Sequence, residues 1–239
     1  VGVTNFLPSF MGTHLEKEIK ALEGVLNNPN KPVAAIIGGS KVSTKIDVIN
    51  FLLKKMDIII IGGAMANTFV AAKGLDVGTS LFEKECIDLA KELIEKSQNN
   101  NCNLILPTDF IVSKNLKKNA EYTTTNFDSM PHNMMALDIG PKSIELINKN
   151  INNCKTILWN GPLGAFETYP FDKGTNKVAS HVSSLTKQKK ILSVAGGGDT
   201  VSALNNAKVL NDFSYVSTAG GAFLEWLEGK VLPGIEPIS

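Results

Sequence analysis

The sequence predicts an α/β fold: a three-layer sandwich built on a mainly parallel, doubly wound (Rossmann-like) sheet. Three observations support this prediction. Short apolar runs recur along the chain, each run ends at a glycine turn, and segments with helical periodicity follow. Strands that are apolar throughout are typical of parallel sheets, because right-handed crossovers lay helices on both faces.

The first of these strand–turn–helix units combines an apolar run at 33–37, the pair Gly38 and Gly39, and a helical pattern at 43–55. An apolar run before glycine returns four more times, at 57–61, 156–159, 191–195 and 215–217. Ligands of open parallel sheets bind outside the carboxyl ends of the strands, so the five glycine turns should line one ligand-binding edge. A single glycine turn can simply end a strand, but five together favour a phosphate-bearing ligand.

The segment between the second and third units is less regular. It predicts an amphipathic helix at 82–96, an Asn-rich turn at 99–101 and a further strand at 103–106. The polar stretch at 114–126 indicates an excursion of short strands. No linker divides the chain, so residues 1–239 are expected to form one domain.

Composition argues against several classes of function. With 24 Lys and Arg against 23 Asp and Glu, the chain has no basic field for nucleic acid or an anionic membrane surface. Its apolar runs are too short to span a membrane. The three cysteines are widely spaced and odd in number, which disfavours a disulfide framework or a zinc site and fits a cytoplasmic location.

Two lysines follow the first glycine turn. The turn reads GGSKVSTK from residue 38, which places Lys41 and Lys45 four residues apart at the predicted start of a helix. Both ammonium groups can then face the same edge of the sheet. A surface lysine pair is usually only solvated, but the position beside a glycine turn favours ligand binding.

Two further turns carry polar side chains suited to phosphate and metal. In AGGGDT, at 195–200, three glycines permit close approach, Asp199 offers an oxygen ligand to Mg²⁺, and Thr200 can cap a helix or bond a phosphate. In WNGPLGAFE, Asn160 can hydrogen-bond an anion and Glu167 can accept hydrogen bonds from ribose hydroxyls. The same turn can also be a purely structural Gly-Pro turn.

Neither standard nucleotide-binding signature is present, since there is no G-x-x-x-x-G-K-[ST] and no G-x-G-x-x-G after the first strand. The residues alone therefore predict a phosphate-binding α/β protein that uses magnesium, and they leave the substrate open. In order and spacing, however, several motifs resemble those of the phosphoglycerate kinases: GGSKVSTK, IIGGAMANTF, VGTSLF, MALDIGP, WNGPLGAFE, GGGDT and STAGGA. This resemblance spans essentially the whole chain.

The resemblance implies a glycolytic phosphotransferase that exchanges a phosphoryl group between 1,3-bisphosphoglycerate and ADP, giving 3-phosphoglycerate and ATP. It identifies 1–239 with the carboxyl-terminal, nucleotide-binding domain, with 1–25 as the interdomain helix region. The amino-terminal domain, which would bind the glycerate substrates, is expected to be absent from this chain. The full-length enzyme is expected to be a cytoplasmic monomer.

The resemblance also implies roles for individual residues. Lys45 would contact the nucleotide phosphates, Asp199 would hold Mg²⁺, Asn160 would position the phosphates and Glu167 would bind the ribose. The implied catalytic residues, near the transferring group, are Lys41, Gly197, Gly220 and Gly221. The phosphate path would be lined by Gly197, Gly198 and Thr200, and the adenine slot by Gly39, Gly63, Ala64, Leu81, Ala136, Leu137 and Leu163.

The chain departs from the family's common pattern at a few positions. Ser40 stands where alanine is common and Ala136 where glycine is common; both changes should narrow the adenine slot slightly. Thr13 and His14 interrupt the usual apolar run before the Glu-Lys-Glu of the interdomain helix.

Two other functions are alternatives to the kinase. A dinucleotide-dependent oxidoreductase is disfavoured, because its glycine signature and the acidic residue after the second strand are not evident. A nucleotide-binding module without turnover has more support, because phosphoryl transfer needs both substrates enclosed together by domain closure. The chain is therefore expected to bind MgADP and MgATP, with little or no turnover by itself.

Overall fold

The computed structural model describes residues 2–238, without the side chains of Asn5 and Ile238. The strands are β1 (Val33–Ile37), β2 (Ile58–Ile61), β3 (Asn103–Ile105), β4 (Asp109–Ser113), β5 (Thr123–Asn126), β6 (Met135–Ile139), β7 (Thr156–Asn160), β8 (Leu192–Ala195) and β9 (Tyr215–Val216). The α-helices are α1 (Thr13–Leu26), α2 (Ile46–Leu52), α3 (Met65–Ala72), α4 (Ile87–Asn99), α5 (Pro141–Ile151), α6 (Lys173–Lys187), α7 (Gly198–Asn206) and α8 (Gly221–Leu227). Short 3-10 helices lie at Gly2–Asn5, Lys84–Cys86, Leu210–Asp212 and Glu236–Ile238.

A six-stranded sheet in the order β3-β2-β1-β7-β8-β9 forms the centre of the fold. Every neighbouring pair of its strands is parallel. The order of the strands reverses between β1 and β7, and crevices for ligands lie at such switch points in doubly wound sheets. The predicted fold class is therefore confirmed.

Helices cover both faces of this sheet because the side chains of β1 alternate between two apolar cores. Val33, Ala35 and Ile37 pack in one core with residues of α1, α2, α3, α4 and α8. Ala34 and Ile36 pack in the other with residues of α5, α6 and α7. All five residues of β1 are fully buried, which explains why the strand is apolar at every position.

A smaller antiparallel sheet in the order β5-β4-β6 lies beside the main one. It packs on a third, small core that includes Val70, Val77, Phe110 and Val112. The excursion predicted at 114–126 holds only β5, and the other two strands of this sheet, β4 and β6, lie outside that range. Their pairing joins segments distant in the chain, which periodicity alone does not reveal.

Two predicted helices begin later in the structure than in the sequence-based prediction. The helix predicted at 43–55 begins at Ile46, because the backbone N–H and hydroxyl of Ser43 donate to the Glu83 carboxylate instead of continuing the helix. The helix predicted at 82–96 begins at Ile87, after a 3-10 turn, and continues to Asn99. Within residues 2–238, no helix has the length and apolar character needed to cross a membrane.

Candidate functional site

The site is built where the glycine turns after β1 and β7 touch. The N–H of Gly38 donates to the Asn160 carbonyl oxygen over 2.9 Å. A Cβ on Gly38 would lie only 1.9 Å from the Pro162 carbonyl oxygen, and Gly161 adopts a φ of +100°. Only glycine fits both positions, so these residues let two strand ends approach more closely than side chains would allow.

The turn after β2 joins the same assembly. Gly63 donates its N–H to the Leu163 carbonyl oxygen over 2.9 Å, and the N–H of Met65 donates to the Gly39 carbonyl oxygen over 3.0 Å. Gly63 has a φ of +70°, and a Cβ there would lie 2.5 Å from the oxygen of Gly39. Three strand ends therefore form one hydrogen-bonded rim.

A buried polar cluster ties this rim to β8 and α7. The Lys45 ammonium donates to Asn160 Oδ1, although the two residues lie 115 positions apart. Asn160 Nδ2 in turn donates to the Gly196 carbonyl oxygen over 2.7 Å, and Thr200 Oγ1 accepts the Gly161 N–H over 2.7 Å. Asn160 is 2% exposed and Thr200 is 1% exposed, so this geometry is fixed before any ligand arrives.

The charge of Lys45 is partly withdrawn from water. Burial lowers the pKa of Lys45, while the negative charges of Asp199 and Glu228 oppose that shift. Asp199 is exposed in the first turn of α7, where the helix dipole is positive. A half-buried ammonium beside free helix N–H groups and an exposed carboxylate can bind a phosphate together with a cation.

An apolar cleft of about 310 Å³ opens beside this cluster. Its walls come from the rim of glycine turns, from the loop that ends at Leu81 and from β6. The lining includes all the residues predicted for the adenine slot together with two predicted polar residues: Gly39, Gly63, Ala64, Leu81, Ala136, Leu137, Leu163, Glu167 and Asp199.

Glycine 197 also belongs to the polar cluster. It has a φ of +97°, and a Cβ there would lie 2.6 Å from Asn160 Nδ2. Gly198 follows it as the first residue of α7. The backbone at this turn therefore lies directly beside the Lys45–Asn160 pair.

Three further predicted residues do not line the cleft. Lys41 is exposed, and the charge it faces is the Glu83 carboxylate. The sequence places Lys41 and Lys45 at the start of a helix; in the structure both precede α2, and Lys45 is the residue immediately before it. Gly220 and Gly221 are exposed at the start of α8, and Gly220 has a φ of +57°.

Several lining residues had not been singled out from the sequence, namely Asn67, Phe110, Leu116, Met135, Asp138, Pro162, Gly164, Ala165 and Phe166. Asp138 is chemically the most unusual of them, since it is only 3% exposed. Burial raises the pKa of Asp138 to about 8, against hydrogen bonds from the N–H groups of Gly174 (2.6 Å) and Ile139 (2.9 Å). The MALDIGP motif contains this residue, but its burial depends on distant glycines that pack against it.

A family model described as phosphoglycerate kinase matches residues 1–230. The chain is 50% identical over 235 residues to a phosphoglycerate kinase of Rhizobium meliloti (strain 1021) and 52% identical over 235 residues to one of Brucella melitensis biotype 1. Each alignment covers 98% of this chain but only 59% of the relative. The chain thus spans about three fifths of the length of these relatives.

Solved structures give the same picture. The phosphoglycerate kinase from Coxiella burnetii matches with a TM-score of 0.89 at 44% identity, covering 93% of this chain and 57% of that one. The enzyme from Pyrococcus horikoshii OT3 matches with a TM-score of 0.81 at 27% identity, covering 100% of this chain and 59% of that one.

Proposed function

Since the chain belongs to the phosphoglycerate kinase family, we propose that it is the magnesium–nucleotide-binding, carboxyl-terminal part of such a kinase. The reaction is reversible phosphoryl transfer between 1,3-bisphosphoglycerate and ADP, giving 3-phosphoglycerate and ATP. One observation carries the proposal: an apolar cleft with Glu167 and Asp199 in its lining opens beside the buried Lys45–Asn160 pair.

The cleft suits a flat base at one end and phosphates at the other. Its volume of about 310 Å³ and its glycine, alanine and leucine walls suit adenine. Glu167, exposed among the lining residues, accepts hydrogen bonds from the ribose hydroxyls. The phosphates then extend towards Lys45 and the first-turn N–H groups of α7, which include those of Gly198 and Thr200.

The residues fit a Mg²⁺ ion that arrives with the nucleotide. Among residues 2–238, no group of three or more His, Cys, Asp or Glu side chains forms a metal cage. Asp199 supplies a single exposed carboxylate, and Mg²⁺ commonly combines one or two carboxylates with phosphate oxygens and water. Asp199 would hold the ion, which would supply positive charge that neutralises the phosphates.

The chain's own groups provide the electrostatics of transfer. Charge in the transition state spreads over three equatorial oxygens of the phosphoryl group. Lys41, Lys45 and the N–H groups at Gly197, Gly220 and Gly221 direct positive charge towards those oxygens. No general base is needed on this chain, because a carboxylate or an ADP oxygen is already a competent nucleophile.

The part of the relatives that this chain does not span would hold the glycerate substrate, and the region 1–25 with α1 would form the interdomain helix. The complete enzyme is proposed to be a cytoplasmic monomer of glycolysis that binds neither nucleic acid nor membranes. For the chain alone, a nucleotide-binding module without turnover is the second candidate, because it spans only 59% of its relatives. Phosphoryl transfer requires both substrates in one closed site.

Calorimetric titration of the purified chain with ADP tests the proposal, with and without Mg²⁺ and with NADH as the comparison ligand. Saturable, magnesium-sensitive binding of ADP without a response to NADH is expected. A folded chain that binds NADH in preference to ADP would favour the oxidoreductase instead. A folded chain that binds neither ligand would contradict the proposal.

A further inference from the structure

A four-residue segment at 80–83, here called the strut, lies between the two halves of the candidate site. Two buried side chains of α3 anchor it. Asn67 Nδ2 donates to the Leu81 carbonyl oxygen over 3.0 Å, and the N–H of Glu83 donates to Thr68 Oγ1 over 3.1 Å. Asn67 and Thr68 are each 1% exposed, so the strut is fixed to the core of the domain.

The first residue of the strut, Ser80, is hydrogen-bonded to β6, which forms one wall of the cleft. Ser80 Oγ accepts the backbone N–H of Ala136 over 2.8 Å, and Ser80 is itself buried. Ala136 and the next strut residue, Leu81, both line the cleft. The hydroxyl therefore fixes the spacing between two walls of the proposed base subsite.

At its last residue, the strut holds the segment at 40–45 that carries both lysines, here called the lysine loop. Glu83 Oε1 accepts the Ser43 hydroxyl over 2.5 Å, and Glu83 Oε2 accepts the Ser43 backbone N–H over 3.0 Å. Ser43 lies midway between Lys41 and Lys45. A two-point attachment to its backbone and side chain fixes the direction in which both lysines leave the loop.

The Glu83 carboxylate is the charged partner in this attachment. Burial opposes its ionisation, but hydrogen bonds from Ser43 and Val42 and the nearby charge of Lys41 outweigh that effect and lower the pKa of Glu83. Hydrogen bonds to an ionised acceptor are stronger than those between neutral groups. Without this anchor, the lysine loop would become ordered only when the ligand binds. The conformational entropy lost at that point would weaken ligand binding.

We propose that Glu83 is a positioning residue that pre-orders the lysine loop through Ser43, and that the strut keeps the base and phosphate subsites at a fixed separation. This inference rests on the proposed nucleotide-binding function. Glu83 touches no part of the nucleotide in this account. It acts on the phosphates only through Lys41 and Lys45.

Substitutions at the two ends of the strut should affect the binding of two ligands, MgADP and adenosine, differently. In Glu83→Ala, MgADP should bind about tenfold more weakly, the effect expected for losing a charge-assisted anchor, while the affinity for adenosine stays unchanged. Ser43→Ala removes only the hydroxyl bond and should weaken MgADP binding by a smaller factor. Ser80→Ala loosens the base wall and should weaken both ligands together.

Glu85→Ala is the matched control, because it removes an exposed carboxylate two residues further along the same turn. It should leave both affinities unchanged. Calorimetry measures MgADP binding, ligand-observed NMR measures adenosine binding, and thermal unfolding reports the fold of each variant. Hydrogen exchange of the Ser43 N–H provides a direct readout, since its protection should fall in Glu83→Ala and not in Glu85→Ala.

The outcomes separate this inference from the function on which it rests. If the unmodified chain binds MgADP and Glu83→Ala binds it equally well, the positioning role is wrong and the proposed function stands. If Glu83→Ala weakens MgADP and adenosine by the same factor and also lowers Tm, Glu83 is merely structural and the inference is overturned. If the folded, unmodified chain binds neither ligand, the proposed function fails and this inference falls with it.

Discussion

The close contact between the turns after β1 and β7 should make Gly38→Ala one of the most damaging single-methyl changes in the domain. The added Cβ would lie 1.9 Å from the Pro162 carbonyl oxygen and 2.8 Å from that of Gly161. Both obstacles are backbone atoms, so the turns must separate by about 1 Å and the hydrogen bond from Gly38 to Asn160 weakens. Forced overpacking of this kind costs about 3 kcal/mol.

Urea unfolding followed by tryptophan fluorescence, to which Trp159 (buried in β7) and Trp226 contribute, measures the loss of stability. Calorimetry on the folded variant should show MgADP affinity at least about tenfold lower, because Pro162 lines the cleft and moves with the turn. Gly24→Ala is the matched control. Its Cβ would meet only Leu192 Cδ2, at 3.9 Å, and alanine in the interior of α1 should raise stability by about 1 kcal/mol.

A Gly38→Ala variant with an unfolding free energy within about 0.5 kcal/mol of the unmodified chain would contradict the predicted steric clash with Pro162. Unchanged MgADP affinity together with that result would mean that the turns do not meet as described. Equal destabilisation by Gly24→Ala would point to a general intolerance of alanine instead of a specific contact.

Four other perturbations address the site. Asp199→Ala should weaken ADP binding in the presence of magnesium and have little effect without it; equal affinities with and without the substitution in magnesium buffer would contradict its metal role. Lys45→Ala should weaken ADP by about 2 kcal/mol, the cost of a lost charge-assisted contact, and unchanged calorimetric affinity would remove Lys45 from the site. Asp138, whose pKa burial raises to about 8, should add stability at acidic pH that is lost as the pH rises towards 8, because the folded state retains a proton that the unfolded state releases; urea midpoints of Asp138→Asn should vary less between about pH 5 and pH 9. The unmodified chain should show little or no kinase turnover in a coupled assay, and normal turnover would show that no further domain is needed.

The parallel sheet was predictable because its signals are local. The run at 33–37 forms β1 with the same bounds, and the run at 57–61 differs from β2 by one residue. Strands buried in a parallel sheet are largely apolar, and glycine ends them where strand ends touch. Both features, the apolar strand and the glycine after it, occur in neighbouring residues of the sequence. They can therefore be predicted without information on distant parts of the chain.

The antiparallel sheet could not be predicted in the same way. Two of its strands are short and mix apolar with polar residues: β4 (Asp109–Ser113) and β6 (Met135–Ile139). They pair with each other although the segment at 114–134, which contains β5, separates them in the chain. Phe110 and Val112 of β4 face a small separate core, and β4 is followed by a loop instead of the helix that accompanies a strand of the parallel sheet. Only the polar stretch at 114–126, between β4 and β6, indicated that short strands lie in this region.

Within the candidate site too, features with a local sequence signal were predictable, and features that depend on contacts between distant segments were not. The reasoning that strand ends share one edge brings Lys45 and Asn160 together across 115 residues. The spacing argument for Lys41 located the helix only approximately, since α2 begins at Ile46 and a distant carboxylate, Glu83, holds Ser43 in the turn before it. Asp138 gave no usable signal, since an aspartate becomes a buried group only through packing against Gly164 and Gly174. The roles of all these residues in binding stay predictions.

A crystal structure of the chain with MgADP decides whether the cleft and the Lys45–Asn160 pair bind the nucleotide. We expect adenine in the cleft between Leu163 and Ala136, phosphate oxygens within hydrogen-bond distance of Lys45 Nζ, and the metal coordinated by Asp199. A nucleotide seated away from the switch point between β1 and β7, or phosphates that contact neither Lys45 nor the first turn of α7, would contradict this expectation.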